Sequence, residues 1–392
     1  MSVDGPTPRL RFPEFRDAGP WEVKRLGDLV TTITPPKKLQ TTEYQPSGQF
    51  PIIDQSPNDI CGWTDDESAL VEADFPVVIF GDHSCVVKLA ESSFAQGADG
   101  IKILLPADDI DGRFLFLSLE ANSVEQQGYN RHFSDLKEKL IPFPLKASGE
   151  QQKIADCLAS LYDLIRAEGE RLGALKGHKR GLMQRLFPRP GETTPRLRFP
   201  DFRDAGPWEV KRLGDDGVAN FVRDRIAPED IPSGHYVSTV NLLSDFNGLA
   251  QKPETPPSGS AIAFRAGDIL MSNIRPYLRK IWVADRSGGA SNDVIVARPG
   301  KRIVQTLLGH LLMSDRFISY IMDGAKGVKM PRGDLEQIQG FEVPVCTNHE
   351  QQKIADCLTA LDDLIRAQGE RIEALRAHKR GLMQQLFPQD MG

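Results

Sequence analysis

Residues 150–188 read EQQKIADCLASLYDLIRAEGERLGALKGHKRGLMQRLFP, and residues 350–388 return as EQQKIADCLTALDDLIRAQGERIEALRAHKRGLMQQLFP, identical at 30 of 39 positions with a constant offset of 200. Shared helical composition does not produce so close a match, so an internal duplication is the first feature to explain. Apolar residues of the first copy fall at Ile154, Leu158, Leu161, Ile165, Leu172, Leu175, Leu182 and Leu186. These steps of four and three, with Glu168 and Lys179 at the two skipped positions, predict one long helix with a single stripe facing a partner helix. Pro144 lies before the run and Pro188 ends it. A helix of about 38 residues rising about 1.5 Å per residue spans roughly 55–60 Å, the length of a spacer rather than of a domain core.

The partner expected from the pattern is the second copy, with Ile354, Leu358, Leu361, Ile365, Ile372, Leu375, Leu382 and Leu386 on its stripe. Acidic residues collect early in the helix (Glu150, Asp156, Asp163, Glu168, Glu170) and bases late (Lys176, Lys179, Arg180, Arg185), and the second copy has the same polarity. Antiparallel pairing sets acid beside base at both ends and opposes the two macrodipoles favourably. The expected register pairs Ile154 with Leu386, Leu158 with Leu382, Ile165 with Leu375, Leu172 with Gln368 and Leu182 with Leu358. The competing reading places the helices in the cores of two separate domains.

A second repeat opens each half: TPRLRFPEFRDAGPWEVKRLGD at 7–28 reappears at 194–215, differing only at Glu14 and Asp201. Its WEVKRLGD portion reads as a short amphipathic segment capping a globular domain, with Trp21 and Trp208 buried. Between leader and helix, the first half carries short β-branched runs (FPIIDQS, FPVVIFG, SCVVKLA, GIKILLP) bounded by turn residues, and a short helix FLFLSLEA at 114–121. The second half follows the same order in other letters: HYVSTVNLL, GDILMSNIR, KIWVAD and DVIVARPG, a helix TLLGHLLMSDRFISYIMDG, then FEVPV. The fold class expected is α+β: two globular α/β domains separated by two long helices that form an antiparallel coiled coil, with internal pseudo-two-fold duplication. The boundaries are 1–148, 149–188, 189–348 and 349–388, with residues 189–194 as the hinge between halves.

At 392 residues and 43.5 kDa the chain has room for two or three domains. No run approaches 18 apolar residues and the N-terminus lacks a signal-peptide pattern, so a cytoplasmic protein is expected. The five cysteines (61, 85, 157, 346, 357) form no CxxC pair and suggest neither a disulfide framework nor a thiolate zinc site. A net charge of −6 is a handicap for nucleic-acid binding, which then needs local basic loops or partner subunits that complete a positive channel.

Searches for chemistry are mostly empty. Pro200 and Asp201 followed by Glu209-Val-Lys211 have the letters of a PD…ExK nuclease, but the first copy has Pro13-Glu14, and metal-dependent cleavage needs carboxylates converging on one ion. GxGxxG after a strand, a Walker loop, HExxH and the Asn/Asp-Pro-Pro-aromatic tetrapeptide of amino-methyltransferases are all missing. His83, in GDHS after a buried strand, has no catalytic partner and reads more simply as a turn residue. The basic loops are more informative. SNIRPYLRK at 272–280 offers Asn273, Arg275, Tyr277, Arg279 and Lys280, and GAKGVKMPR at 324–332 offers Lys326, Lys329 and Arg332. Arg and Lys reach guanine edges or phosphates, and Asn can grip adenine bidentately. The weaker equivalents in the first half are Gln55, Ser56, His83, Lys88, Lys102 and Arg131. A solvated surface charge is the bland alternative for each.

With the duplicated LRFPEFRD…WEVKRLGD, with GDILMSNIRPYLRKIW followed by SNDVIV, with FPLKASGEQQKIADCL and VPVCTNHEQQKIADCL, and with HKRGLMQRLF and HKRGLMQQLF, the chain resembles, over nearly its whole length, the specificity subunits of type I restriction-modification enzymes. The resemblance implies two target-recognition domains joined by two antiparallel helices, reading a bipartite, asymmetric double-stranded DNA target with a fixed gap. It also implies no catalytic centre and no cofactor on this chain. The expected partners are two modification subunits that transfer methyl from S-adenosylmethionine to adenine and restriction subunits that hydrolyse ATP with Mg, with no membrane association. Apolar residues off the main stripe (Leu164, Met183, Phe187, Leu364, Met383, Phe387) are the expected contacts to modification subunits, the margin of the same coiled coil being the alternative. Competing classes are a fused nuclease or methyltransferase, against which the missing motifs argue, and a coiled-coil scaffold that does not touch DNA.

Overall fold

The computed structural model describes residues 5–388 apart from 99, 123, 127, 129, 251–255, 257–258, 326 and 328–330. The chain divides into two compact units, the first made of residues 1–170 and 370–392 and the second of residues 171–369. The first unit runs β1 (Glu22–Arg25), α1 (Leu26–Leu29), β2 (Val30–Ile33), β3 (Phe50–Ile53), β4 (Gly62–Thr64), β5 (Leu70–Val71), β6 (Val77–Gly81), β7 (Val87–Ala90), β8 (Phe94–Gln96), β9 (Ile101–Pro106), α2 (Gly112–Ala121), α3 (Phe133–Glu138), β10 (Leu140–Phe143) and the early part of α4 (Glu150–Leu186). The second takes the rest of α4, then β11 (Glu209–Arg212), β12 (Ala219–Phe221), β13 (Arg225–Ile226), β14 (Tyr236–Val237), β15 (Ala261–Phe264), β16 (Ile269–Ser272), β17 (Ile281–Val283), β18 (Gly288–Ala290), β19 (Val294–Pro299), α5 (Gln305–Leu312), α6 (Asp315–Asp323), α7 (Leu335–Gln339), β20 (Glu342–Val345) and the early part of α8 (Asn348–Leu386), whose last turns belong to the first unit.

The central strand of each unit is buried at every position because both of its faces are covered. In β6, Val78 and Phe80 pack with Phe114 of α2, while Val77 and Ile79 pack with Ile53 and Phe94 of a second sheet. In β16, Ile269 and Met271 face Leu307 and Leu308 of α5, and Leu270 faces Phe264 and Ala290. The alternation is that of a pleated strand, with two apolar destinations in place of one. The main sheets are β2-β9-β6-β7 and β12-β19-β16-β17, antiparallel throughout. The second sheets are β4-β3-β8-β5 and β13-β15-β18-β14, each with one parallel pair, β3 with β8 and β14 with β18. Three strands correspond between them, but the fourth is added at opposite edges: β4 beside β3, and β13 beside β15.

Each leader contributes one strand. β1 pairs with β10, and β11 with β20, each partner being the strand that feeds a long helix. Trp21 is buried edge-on against Phe114 (5.7 Å) and Phe387 (6.5 Å), and Trp208 against Phe187 (6.3 Å). Two expectations change. The helix expected over 306–324 is two helices, because the Ser314 hydroxyl accepts from the Phe317 amide and starts α6 afresh. Of HYVSTVNLL only Tyr236–Val237 is strand; Asn241 Oδ1 accepts from the Ser238 amide and turns the chain.

Within each unit the two long helices run in opposite chain directions. In the first, Ile154 and Leu158 share a core with Leu382, Met383 and Leu386, and Arg371 pairs with Glu168 at 2.8 Å. In the second, Leu182 and Leu186 share a core with Ile354 and Leu358, and Lys179 pairs with Asp362 at 2.6 Å. Ile372 is also buried; Leu161, Ile165, Leu172, Leu175, Leu361, Ile365 and Leu375 are half-buried. Glu168 and Lys179, skipped in the apolar count, lie on the inward stripe with Gln368 and Lys379.

Candidate nucleic-acid interface

The frame is held by duplicated polar contacts. The guanidinium of Arg11 donates to both oxygens of Glu150 at 2.7 and 2.6 Å and to the carbonyls of Ala18 and Gly19. Arg198 repeats this on Glu350, Ala205 and Gly206. Both carboxylates are fully buried, and each is the residue on which its repeat begins. The next residue is equally committed. Gln151 accepts from the Asp111 amide at the start of α2 and donates to Pro144 and Asp109, while Gln351 accepts from Val304 at the start of α5 and donates to Arg302 and Cys346. Lys153 pairs with Glu14 and Lys353 with Asp201, so the one leader difference keeps its charge.

The loops carried by this frame are built differently. In the first unit the segment after β3 turns around Asp54, which accepts from the Ser56 amide (2.8 Å) and the Cys61 thiol (2.7 Å). Burial pushes the Asp54 carboxyl up, but these donors and Lys88 outweigh it and hold it below the usual carboxylate range. Lys88, expected to meet DNA, is only 5% exposed, and its ammonium donates to the carbonyls of Asp54 and Asn58. It braces the loop from inside. Gln55 is half-buried beside Gly81 and Gly100. His83 meets the carbonyl of Asn130 through Nδ1 at 3.1 Å, Lys102 lies over the Phe133 ring at 5.5 Å, and Arg131 is exposed.

In the second unit, Arg275 and Tyr277 stand out to solvent from the loop between β16 and β17. Two other cations of that loop are spent internally: Arg279 pairs with Asp315 and lies over the Phe246 ring, and Lys280 donates to the Thr239 carbonyl at 2.8 Å. Asn273 donates its amide to Asp293, and its buried side-chain Oδ1 has no hydrogen-bond partner among the described residues. Arg332 is brought beside this loop by a bridge between Ile274 and Arg332, and pairs with Asp293 at 3.2 Å while staying exposed. Lys326 and Lys329 lie outside the described residues.

Three of the six expected partner contacts are turned inward. Phe187 and Phe387 lie just past the last helical residues, Leu186 and Leu386, where a helical wheel no longer assigns a face, and they pack on Trp208 and Trp21. Met383 joins the same core as Phe387 because the globular part wraps the helix end from a second side. Met183 is half-buried, whereas Leu164 and Leu364, copies of one position, are 39% and 55% exposed.

Among the described residues no group of three His, Cys, Asp or Glu side chains is set to hold a metal ion, and no helix is long and apolar enough to cross a membrane.

Residues 19–176 match the family described as the type I restriction modification DNA specificity domain. The specificity subunit of the type I restriction enzyme MjaVIII of Methanocaldococcus jannaschii is 21% identical over 414 residues, covering 96% of this chain and 93% of that protein. The EcoDI specificity subunit of Escherichia coli is 24% identical over 387 residues, covering 89% and 83%. The fold is that of the crystal structure of a type I restriction-modification S subunit from M. genitalium, at a TM-score of 0.59 and 17% identity over 98% of this chain and 100% of that one. With its duplicated frame and divergent loops, the chain is similar over most of its length to the specificity subunits of type I restriction enzymes, and its residues 19–176 carry the match to their DNA specificity domain.

Proposed function

We propose that this chain is the DNA-reading subunit of a type I restriction-modification complex, each unit reading one half of a bipartite target. The α4 and α8 helices pair along their length as an antiparallel coiled coil, set the gap between the halves and dock two modification subunits, with Leu164, Leu364 and Met183 in that contact. S-adenosylmethionine, ATP and Mg belong to the modification and restriction subunits. The observation that carries this reading is the contrast between frame and contents. Leader, helices and the contacts that join them are repeated, while the loops at the β6–β7 and β16–β17 turns share neither sequence nor internal bonding. Unlike readers held on one frame suit an asymmetric sequence with fixed spacing, as dimer geometry fixes half-site spacing elsewhere.

Co-expression with the cognate modification subunit, followed by methylation sequencing, should yield one bipartite adenine motif. Exchange of residues 30–148 for those of another family member should alter only one half of it. Deleting one heptad from both helices should shorten the gap, and cysteines at 158 and 382 should cross-link. A complex that methylates without a bipartite motif would leave only a scaffold role for the chain.

A further inference from the structure

In the second unit Val240, Leu243 and Tyr277 are 70%, 38% and 49% exposed, large apolar side chains facing water. They come from two loops that are tied together. Lys280 Nζ donates to the Thr239 carbonyl at 2.8 Å, the Phe246 amide donates to the Arg279 carbonyl at 3.0 Å, and the Arg279 guanidinium lies 5.0 Å from the Phe246 ring centroid. Among the described residues the same two loops hold four non-glycine residues at positive φ: Asp245 (54°), Phe246 (60°), Arg275 (52°) and Arg279 (57°). Each is kept in the left-handed region against the steric preference of its own side chain, which persists only where the surroundings over-determine it. The counterpart loops of the first unit hold one such residue, Cys85 (55°), and one large exposed apolar side chain, Ile60 (45%).

A surface that meets phosphates needs cations and gains nothing from exposed valine, leucine and tyrosine. Base edges differ, since thymine presents a methyl group in the major groove that is recognised by apolar contact. The flanking exposed guanidiniums of Arg275 and Arg332 suit a polyanion on either side of such a contact.

Resting on the DNA-reading role above, we propose that Tyr277, Val240 and Leu243 form an apolar probe for thymine methyl groups in the half-site read by the second unit. Arg275 engages an adjacent phosphate. Arg279 is a positioning residue that locks the two loops together and does not touch DNA.

The test uses the chain assembled with its modification subunit and duplexes carrying its methylated motif, with dT replaced by dU in the half that the 30–148 exchange leaves unchanged. Wild-type binding should fall about 5- to 10-fold on replacement, the scale of one lost apolar base contact. Tyr277→Ala should bind dT and dU duplexes alike, whereas Tyr277→Phe should keep the discrimination. Arg279→Lys should lose it without changing the dependence of affinity on salt. Arg275→Gln should keep it, weaken binding across all sequences and lower the salt slope by about 1. A wild-type complex with a bipartite motif but indifferent to dU in that half overturns the probe and leaves the DNA-reading role standing, as does discrimination that survives Tyr277→Ala. Absence of any bipartite motif overturns both.

Discussion

Lys179 and Lys379 occupy one position of the repeat, on the inward stripe of their helices, and the two units neutralise them differently. Lys179 pairs with Asp362 of α8 at 2.6 Å, with His310 of α5 3.4 Å from the same carboxylate. Lys379 pairs with Glu120 of α2 at 2.8 Å and lies 3.7 Å from the centroid of the Tyr162 ring. Positions 162 and 362 are themselves copies, so where one repeat has aspartate the other has tyrosine, and the missing carboxylate is supplied by the globular part. Arg11 and Arg198 behave otherwise. Both they and their partners Glu150 and Glu350 lie inside repeated sequence, and the contact is the same in each unit. What duplication preserves is the demand of a half-buried charge for a partner; the partner itself is preserved only when it was copied as well.

Three measurements bear on that comparison. Arg11→Met and Arg198→Met each leave a fully buried carboxylate uncompensated, and each should destabilise its own unit by about 3–5 kcal/mol. Urea unfolding followed by hydrogen exchange in each unit should give near-equal losses; a difference above about 1 kcal/mol would break the equivalence of the two clamps.

The lysine environments should separate with pH. Burial, reinforced by Lys179 against the opposing pull of Asp362, lowers His310 from 6.5 to about 4. The folded state therefore favours the neutral ring. The stabilisation is fully present above pH 6.5 and is lost as pH falls from there through about 4, costing the second unit roughly 3 kcal/mol. His310→Phe should remove this dependence, and the first unit, with Tyr162 and Glu120 about its lysine, should not share this contribution. An equal acid response of both units before and after His310→Phe would refute it.

The smallest effect belongs to the leader. Exchanging Glu14→Asp and Asp201→Glu retains exposed ion pairs with Lys153 and Lys353 and should change stability by less than about 0.5 kcal/mol in a denaturant titration.

Elements with strong local periodicity were legible in the residues alone: the two long helices, the apolar runs of β6, β9, β16 and β19, and the helix expected over 114–121, which begins two residues earlier. Features that depend on distant partners were not. Nothing local says that Arg11 reaches Glu150 or that Gln151 holds the start of α2, although the reappearance of all three in the second half was a usable signal. Lys88 stood as a DNA contact by its charge alone, yet the loop it braces covers that side of the strand. Glu168 and Lys179 broke an apolar count while obeying its spacing, since a partnered charge fills a stripe position as well as leucine does. The strand added at opposite edges of the second sheets left no trace, because β13 is two residues long and β4 three. In the candidate interface, exposure divided the basic residues where residue type did not: Arg275 and Arg332 remain outward, while Arg279 and Lys280 hold the loops together.

The first unit takes its final packing residues, Met383, Leu386 and Phe387, from the far end of the chain, whereas the second is made of the continuous residues 171–369. On the ribosome this inverts the usual order. The unit whose residues emerge first must wait, with Trp21 and Phe114 uncovered, until residues 383–387 have been made, and the later-made unit is the first able to close.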